Sequence, residues 1–483
     1  MRVLAIDQGT TNTKAVLVDD QGRVLASASA ALTTDYPRPG WAEQSAMSIW
    51  TSVRDVIGQI VRSEGVPDAI GIANQRETLV VWDAGTAQPI CPALIWQCRR
   101  TAESCAALIA AGHDAEVVAA TGLGINPLFP ASKLAWVFAH VPQARALHEQ
   151  GMLRAGTVDT WLLWCLTAGA SFATDHSNAS RMQLFDTRNL QFSAGLGRIF
   201  GVPTDCLPTP HASDSEFGET AAGVTDLPAG VPVLAMMGDS HAALYGHGVR
   251  APGQVKATYG TGSSLMTLTP TRVNSAHGLS GTIAWSTAAG PVYALEGNIT
   301  VSAQAASFMA GLMGVADPAA LSALAQTVPD TGGVCFVPAL AGLGAPHWDD
   351  AARGLLAGMT LSTTRAHVAR ATFEAIAQQV ADVFDAMGRD VGQPPERIRA
   401  DGGASGNPFL MQLQADMLGC PVQTADIAEI GALGVAAMAF GNLGVDMPLP
   451  APAQTYSPRL SADIRASRRT AWQQAIQRAG FTP

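Results

Sequence analysis

Short apolar segments alternate with glycine-rich turns and longer amphipathic segments along the chain. Val3–Ile6 and Ala15–Val18 are apolar and partly β-branched, so they predict two strands. The sequence Asp-Asp-Gln-Gly at residues 19–22 predicts a tight turn before a third strand that starts at Arg23. Strand-like and helix-like segments keep alternating towards the end of the chain, which is typical of an α/β fold.

One long segment in the second half has helical spacing. In residues 365–390 the apolar positions that recur at this spacing are Ile376, Val380, Val383, Phe384 and Met387. The polar residues between them are Gln378, Gln379, Asp382 and Asp385. We therefore expect an amphipathic helix here.

Two further helices have recognisable ends. Asn407 and Pro408 follow a short strand and predict the start of one helix, and Gly419 predicts its end. Residues 429–441 are mostly small and apolar, so they predict a helix suited to close packing. A proline-rich connection from Met447 onwards precedes a polar terminal helix.

The segment Val255–Pro270 repeats the organisation of the N-terminus: a strand, a turn rich in Gly, Thr and Ser, and a second strand. Two such hairpins suggest a duplicated pair of domains whose turns face one cleft. A chain of 483 residues is also long for a single core. We therefore predict an N-terminal domain over residues 1–246 and a C-terminal domain over residues 247–483.

Composition narrows the range of partners. Hydrophobic residues make up 48% of the chain and charged residues 14%, as expected for a well-buried globular protein. The net charge of −10 argues against nucleic acid or an anionic membrane as the main partner. Seven cysteines lack Cys-x-x-Cys spacing, and no apolar window is long enough to span a membrane. We therefore expect reduced thiols and a cytoplasmic location.

The turn between the first two predicted strands is unusually polar for a connector. From Asp7 to Lys14 it contains a carboxylate, a glycine, three threonine hydroxyls and a cation. Backbone N–H groups and hydroxyls in such a turn suit phosphate oxygens, and Lys14 adds positive charge. Asp7 would repel phosphate unless Mg²⁺ stood between them. The turn therefore indicates a nucleotide-phosphate and Mg²⁺ site; the alternative is a simple polar hairpin. No P-loop motif is present.

Asp239 follows an apolar strand-like segment, Val233–Met237, and precedes a helix of small residues. A carboxylate at this position can accept the proton of an attacking hydroxyl, as phosphoryl transfer requires. One alternative is that Asp239 caps the helix. Another is a metal site with His241 and His247, although two histidines six residues apart share a helical face poorly.

Arg76, Glu77 and Trp96 are predicted at strand ends or in loops. A guanidinium beside a carboxylate can bind adjacent hydroxyls of a polyol, and an indole ring can cover its carbon chain. The alternative is a salt-bridged turn and a core tryptophan.

Together these segments resemble a known family. The matching motifs include DQGTTNTKAVL, NQRETLVVWD, WQCRRT, TDHSNASR, GDSHAAL, KATYGTGSS and DGGASGNPFLMQLQADMLG. In this order, over about residues 1–445, they resemble the FGGY carbohydrate kinases, and most closely the glycerol kinases among them. The resemblance implies two ribonuclease H-like, actin-type α/β domains with ATP and substrate in the cleft between them. It also implies phosphorylation of a polyol or sugar hydroxyl by Mg²⁺-ATP.

The resemblance implies roles for individual residues. Asp239 would be the catalytic base and, with Arg76, Glu77 and Trp96, would contact substrate. Leu128 and Ser240 would line the substrate pocket. Asp7 would face the metal ion. The predicted nucleotide-binding residues are Thr10, Thr11, Asn12, Lys14, Thr261, Ala303, Ser307, Gly403 and Asn407.

The chain departs from the glycerol kinase pattern at several of these positions. Leu128 stands where a tyrosine is usual, Ser240 replaces a glutamine, and Ser264 replaces an aromatic residue. Cys98 replaces an acid in the WQCRRT motif, and Ala303 and Ser307 replace a glycine and a glutamine. Smaller side chains imply a larger pocket, so we expect an acceptor longer than glycerol, such as a tetritol or a xylulose-type pentulose. Glycerol remains a candidate, because each lost hydroxyl partner costs only about 0.5–1.5 kcal/mol.

Two readings from other classes stay open on the sequence alone. The same fold serves actin-like filaments and heat-shock chaperone ATPases, which have no use for Arg76, Glu77 and Trp96. A hydrolase using Asp239, His241 and a metal would leave the turn from Asp7 to Lys14 unexplained. We expect a small-molecule acceptor and ATP as partners, with no nucleic acid or membrane, and a homo-oligomer, as a dimer.

Overall fold

The structure is a computed structural model and describes residues 1–425, 427 and 429–480. Internal contacts divide the chain into two compact units. The first unit comprises Met1–Gly248, Gly281–Ala294 and Glu429–Pro450. The second unit comprises Val249–Ser280, Leu295–Ala428 and Ala451–Pro483. The chain therefore leaves the first unit and returns to it twice, so the units are not two successive halves.

Strands and helices alternate through both units. The strands are β1 (Arg2–Gln8), β2 (Asn12–Asp19), β3 (Val24–Ala31), β4 (Glu43–Gln44), β5 (Ala69–Asn74), β6 (Val80–Asp83), β7 (Gln88–Pro89), β8 (Ala93–Leu94), β9 (Leu153–Gly156), β10 (Ala173–Asp175), β11 (Phe185–Asp186), β12 (Gln191–Phe192), β13 (Thr209–His211), β14 (Gly218–Glu219), β15 (Pro232–Gly238), β16 (Gln254–Tyr259), β17 (Ser263–Thr269), β18 (Ser280–Thr287), β19 (Gly290–Ile299), β20 (Cys335–Val337), β21 (Leu355–Ala357), β22 (Arg397–Asp401), β23 (Val422–Thr424) and β24 (Gln454–Tyr456). The α-helices are α1 (Ala46–Glu64), α2 (Ala102–Ala110), α3 (Asp114–Thr121), α4 (Pro130–His140), α5 (Gln143–Glu149), α6 (Val158–Leu166), α7 (His176–Ala179), α8 (Ala194–Phe200), α9 (Asp239–Gly246), α10 (Gln304–Met313), α11 (Pro318–Ala325), α12 (Arg365–Val391), α13 (Pro408–Leu418), α14 (Ile430–Asn442) and α15 (Ala462–Ala479).

The main sheet of the first unit has the strand order β14-β15-β5-β1-β2-β3. The β1–β2 and β2–β3 pairs are antiparallel, whereas β5 is parallel to both β1 and β15. Gln8 and Gly238 both lie opposite Asn74, so β1, β5 and β15 end at one edge. This register brings the segments after β5 and β15 to the edge where β1 turns into β2, which is where parallel strands usually present ligand-binding residues.

The second unit contains a sheet with the same central arrangement. Five neighbouring strands of this sheet follow the order β17-β16-β22-β23-β24, with β16–β17 antiparallel and β16–β22 and β22–β23 parallel. Thr258 of β16 lies opposite Asp401, the last residue of β22. The predicted hairpin at residues 255–270 is therefore confirmed. It occupies the same place in its sheet as the β1–β2 hairpin does in the first.

The predicted helix over residues 365–390 is confirmed as α12, but its polar residues do not form a solvated face. Gln378, Gln379 and Asp382 are buried, and only Asp385 is largely exposed. The reason is α15: Trp472 Nε1 donates to Asp382 Oδ2 at 2.7 Å. Arg469 Nη2 donates to Asp382 Oδ1 at 2.6 Å. These polar side chains therefore anchor the terminal helix of the second unit.

Helices α13 and α14 begin and end close to the predicted residues. Asn407 caps α13 and Gly419 ends it in a left-handed conformation. The predicted close packing of α14 is confirmed by Gly434, where a β-carbon would collide with the carbonyl oxygen of Ala242 in α9. A β-carbon at Gly246 of α9 would likewise collide with the carbonyl oxygen of Ile430. These glycines let α9 and α14 approach backbone to backbone.

None of the seven cysteines forms a disulfide bond. Four of them are buried: Cys98, Cys105, Cys206 and Cys420. Within the described part of the chain, no individual helix has the length and apolarity needed to cross a membrane. One sharply bent pair, Gln304–Met313 followed by Pro318–Ala325, meets that requirement by length and composition.

Candidate active site

The predicted site residues fall into two groups, one in each unit. In the first unit, Asp7 lies near the end of β1, and Asp239 is the first residue of α9, directly after β15. Burial and the nearby carboxylate of Asp239 raise the pKa of Asp7 to about 7. Lys14 lowers the pKa of Asp7, and Glu429 raises it further. The sheet edge thus carries several carboxylates whose mutual repulsion a cation would relieve.

The predicted turn between the first two strands is confirmed as the connection of β1 and β2. The N–H of Gly9 donates to the carbonyl of Asn12 at 2.9 Å and closes the turn. Lys14 lies directly opposite Asp7 in the β1–β2 ladder, and its Nζ is 3.7 Å from Glu429 Oε1. Thr11 and Asn12 are exposed at the tip of the turn. Hydroxyls, amides and an ammonium group are therefore available beside a carboxylate.

Asp239 is held by an arginine rather than serving as a helix cap. Gly238 is the N-cap of α9 and Asp239 is its first residue, so the capping alternative is wrong. Asp239 Oδ1 accepts from Arg76 Nε at 3.2 Å and from the N–H of Ser240 at 2.6 Å. The Asp239 side chain is 39% exposed, whereas that of Arg76 is only 8% exposed. Asp239 thus presents an oriented, accessible carboxylate.

Glu77 is fixed by a second arginine that the sequence analysis did not single out. Arg181, fully buried after α7, donates from Nε to Glu77 Oε1 at 2.6 Å. Arg76 Nη1 is 3.9 Å from the same Glu77 oxygen. Glu77 has a left-handed backbone with φ of 60°, which costs about 1–3 kcal/mol in a residue with a β-carbon. The TDHSNASR motif contains Arg181, but nothing in its local pattern indicates that it reaches Glu77.

Trp96, a predicted substrate-binding residue, contacts the turn between β1 and β2. Its Nε1 donates to Thr10 Oγ1 at 2.8 Å, and its side chain is 38% exposed, so it is not a core tryptophan. Gln44 Nε2 supports the same turn by donating to the carbonyl of Thr10 at 2.6 Å. Leu128, partly buried, lies in the segment before α4, and Ser240 follows Asp239 in α9.

The metal interpretation of His241 and His247 is wrong for the described residues. His241 is buried, and its Nε2 is 3.2 Å from Thr282 Oγ1. No cluster of three or more His, Cys, Asp or Glu suited to a metal ion occurs in residues 1–425, 427 and 429–480.

In the second unit, the β16–β17 turn packs against the start of α10. The carbonyl of Thr261 accepts from the N–H of Ser302 at 2.9 Å, and the N–H of Ala303 donates to the carbonyl of Gly260 at 3.2 Å. Ser307 is exposed on α10. The turn therefore brings Thr261 next to Ala303, and Ser307 follows four residues later in α10.

Gly403 and Asn407 follow β22. Asn407 Oδ1 accepts from the N–H groups of Phe409 at 3.0 Å and Leu410 at 3.2 Å, so its oxygen caps α13. Its amide nitrogen is then the group that can donate to a ligand. The preceding Gly402 has φ of 87°, and a β-carbon there would collide with the backbone of Tyr259.

Ser264, which stands where glycerol kinases usually have an aromatic residue, makes a hydrogen bond of its own. Its Oγ donates to Glu296 Oε1 at 2.8 Å, and Glu296 is fully buried in β19. The replacement of an aromatic ring at this position therefore introduces a hydroxyl that is already oriented by a carboxylate.

Comparison with known proteins identifies the family. The N-terminal domain of the FGGY family of carbohydrate kinases matches residues 2–246, and the C-terminal domain of that family matches residues 255–442. An apulose kinase of Pectobacterium atrosepticum is 43% identical, covering 100% of this chain and 99% of that protein. A glycerol kinase of Symbiobacterium thermophilum is 43% identical, covering 99% of this chain and 98% of that protein.

A solved structure supports the same conclusion. The crystal structure of Plasmodium falciparum glycerol kinase with ADP has a TM-score of 0.95 and 28% identity. The match covers 100% of this chain and 99% of the Plasmodium falciparum chain. The predicted α/β two-domain fold is thus confirmed. Both family domains match in order and the relatives align over nearly the whole length, so the chain belongs to the FGGY family of carbohydrate kinases.

Proposed function

We propose that this carbohydrate kinase transfers the γ-phosphoryl group of Mg²⁺-ATP to a hydroxyl of a small polyol or open-chain sugar, with Asp239 as the base. The observation that carries the proposal is the position of Asp239. It lies beside Asp7 at the sheet edge, with its carboxylate held by Arg76. Family membership favours this function over an actin-like ATPase or a hydrolase.

In the proposed reaction, Asp239 accepts the proton of the acceptor hydroxyl while that oxygen attacks the γ-phosphorus. The bond from the γ-phosphorus to the bridging oxygen breaks, and ADP leaves. Arg76 orients the carboxylate and can donate to a neighbouring acceptor oxygen. Glu77, fixed by Arg181, can accept from the hydroxyl groups of a vicinal diol, and the exposed ring of Trp96 can cover the carbon chain.

The residues at Asp7 fit a magnesium site. Its carboxylate is a hard oxygen ligand, and burial together with the carboxylates of Asp239 and Glu429 raises the pKa of Asp7 despite Lys14, so a bound cation would stabilise the ionised form. When bound, Mg²⁺ would neutralise phosphate charge during transfer. Thr10, Thr11, Asn12 and Lys14 would contact the phosphates from the first turn.

The second unit would supply the remaining nucleotide contacts. Thr261 would donate to phosphate, Gly403 and Asn407 would lie at the adenosine end, and Ala303 and Ser307 would lie nearby. These assignments rest on the family resemblance together with the arrangement of the β16–β17 turn, α10 and the segment after β22.

The acceptor is proposed to be larger than glycerol. Leu128 lacks the ring and hydroxyl of the tyrosine that is usual in glycerol kinases, and Ser240 is smaller than the usual glutamine. Ser264 replaces an aromatic ring with a hydroxyl. An apulose kinase and a glycerol kinase are equally identical to this chain, so overall similarity does not select between their substrates. A tetritol or a pentulose of the xylulose type would be such an acceptor.

A coupled ADP-release screen tests both the proposed kinase reaction and the proposed preference for an acceptor larger than glycerol. The acceptors are glycerol, erythritol, xylitol, xylulose, ribulose and apulose, each at several concentrations with saturating Mg²⁺-ATP. We expect a higher kcat/KM for at least one longer acceptor than for glycerol. If no acceptor stimulates ADP release, the protein is not a kinase for small polyols or open-chain sugars. If glycerol is the preferred acceptor, only the proposal of an enlarged pocket is contradicted.

We further propose a cytoplasmic location and a homodimer. The location is supported by seven free thiols and by the need for ATP. The dimer rests on the family resemblance. Fractionation of the expressing cells and sedimentation velocity of the purified protein test these two points.

A further inference from the structure

A buried lysine connects two segments that carry predicted substrate residues. Lys133 lies in the first turn of α4 and is fully buried. Its Nζ donates to the backbone carbonyl of Glu77 at 2.9 Å and to that of Leu128 at 2.7 Å. Glu77 follows β5, whereas Leu128 precedes α4, so one amino group joins two separate parts of the chain.

Glu77 depends on contacts from outside its own segment. Its left-handed backbone, with φ of 60°, is unfavourable for a side chain with a β-carbon and persists only when the surroundings enforce it. Arg181 binds the carboxylate end of the residue at 2.6 Å, and Lys133 binds its backbone carbonyl. The two cations therefore fix both the direction of the Glu77 side chain and the position of its backbone.

The Leu128 segment is also ordered by contacts that do not involve Lys133. Asn126 Oδ1 accepts from the N–H of Leu128 at 2.9 Å, and the N–H of Ala131 donates to the carbonyl of Met182 at 3.1 Å. Lys133 adds a different connection, because it relates this segment to Glu77 rather than to its own helix. A change at Lys133 would therefore alter the spacing of the two segments more than their internal folding.

We propose that Lys133 is a positioning residue that sets the spacing of Glu77 and Leu128 and so helps to select the acceptor. The inference rests on the proposed function, since it assumes that these two residues face the acceptor. Lys133 acts through two backbone carbonyls and does not itself meet the reacting atoms. Its loss should therefore change discrimination between acceptors more than the use of ATP.

The charge state of Lys133 does not disrupt this role. Burial lowers the pKa of Lys133 to about 7, while the neighbouring Glu77 raises it. Cys98 and Cys105 also raise this pKa, and Arg100 lowers it. A neutral amine has two N–H groups and an ammonium has three, so either form can serve both carbonyls.

The test compares Lys133→Met with a matched control in the same unit. Methionine retains a long unbranched chain but cannot donate to either carbonyl. Thr167→Val removes a buried hydroxyl that donates to the carbonyl of Leu163 at 2.9 Å, at the end of α6, and so controls for general destabilisation. For each protein, kcat and KM are measured for two acceptors that wild type uses and for ATP, with the melting temperature.

For Lys133→Met we expect kcat/KM for the better acceptor to fall about tenfold or more. We also expect the ratio of kcat/KM between the two acceptors to change by about threefold or more, with KM for ATP within about twofold of wild type. Thr167→Val should leave the ratio unchanged. An unchanged ratio in a folded Lys133→Met protein would overturn the inference.

If Lys133→Met does not fold, Lys133→Gln takes its place. Glutamine keeps N–H donors but is one atom shorter than lysine, so it cannot reach the carbonyls of both Glu77 and Leu128 and should shift the acceptor ratio in the same assay. A folded Lys133→Gln protein with the wild-type ratio would also overturn the inference. If the wild-type protein phosphorylates no acceptor, the proposed function fails. If the wild-type protein is active but the variants keep its acceptor ratio, only the inference about Lys133 fails.

Discussion

Gly238 controls the position of Arg76 by having no side chain. A β-carbon at Gly238 would lie 2.5 Å from Cδ and 2.6 Å from Cγ of Arg76, and 2.8 Å from Nδ1 of His241. The backbone of Gly238, with φ of −62° and ψ of 148°, is ordinary for alanine. The variant Gly238→Ala therefore introduces a side-chain collision without backbone strain.

The buried Arg76 must move to relieve this collision, and its contact with Asp239, 3.2 Å in wild type, should break. A hydrogen bond between charged groups contributes about 1.5–3 kcal/mol. At about 1.4 kcal/mol for each factor of ten, kcat/KM for the acceptor should fall about 10- to 150-fold. Overpacking should also cost about 1–3 kcal/mol of folding stability.

The assay is the initial rate of ADP release at varied acceptor, together with ATP binding by calorimetry and the melting temperature. Gly441→Ala is the matched control, because a β-carbon at this position of α14 meets nothing within 4 Å. We expect the control to keep wild-type kinetics. A Gly238→Ala enzyme with kcat/KM within threefold of wild type would refute the role given to the Arg76–Asp239 contact.

Three further variants address the base, the metal and the acceptor pocket. Asp239→Asn should lower turnover by about 10²–10⁴-fold while ATP still binds, and retention of more than a tenth of wild-type turnover would exclude it as the base. Asp7→Ala should raise the Mg²⁺ concentration needed for half-maximal activity, and an unchanged Mg²⁺ titration would place the metal elsewhere. Leu128→Tyr should shift the ratio of kcat/KM towards glycerol by about threefold to tenfold, and no shift in an acceptor panel would argue that this side chain does not face the acceptor.

Features set by neighbouring residues could be predicted from the sequence. The β1–β2 hairpin follows from apolar runs around a polar turn, and the start of α13 follows from Asn407 and Pro408. In each case the residues that determine the structure lie within a few positions of one another. The motifs of the active site also lie at strand ends, so their approximate place in the fold followed from the same local pattern.

Features that depend on distant residues could not be predicted in this way. The polar side chains of α12 indicate a solvated face, but α15, which lies much later in the chain, covers them through Trp472 and Arg469. Arg181 and Lys133 have no local signal for their contacts with Glu77, because they lie 104 and 56 positions from it in the sequence. Burial of these cations is visible only once the chain is folded.

The return of residues 429–450 to the first unit has a consequence for synthesis of the protein. Helix α14 packs on β1, β5, β15 and α9, and Gly71 of β5 lies against the backbone of Val435. A ribosome that has released only the first 248 residues has therefore produced a sheet without the helix that covers one of its faces. The apolar side chains of that face must wait for nearly the whole chain to emerge, and during this interval they are open to association with other unfinished chains. Folding of the first unit is thus tied to the late emergence of α14, even though most of its residues are made first.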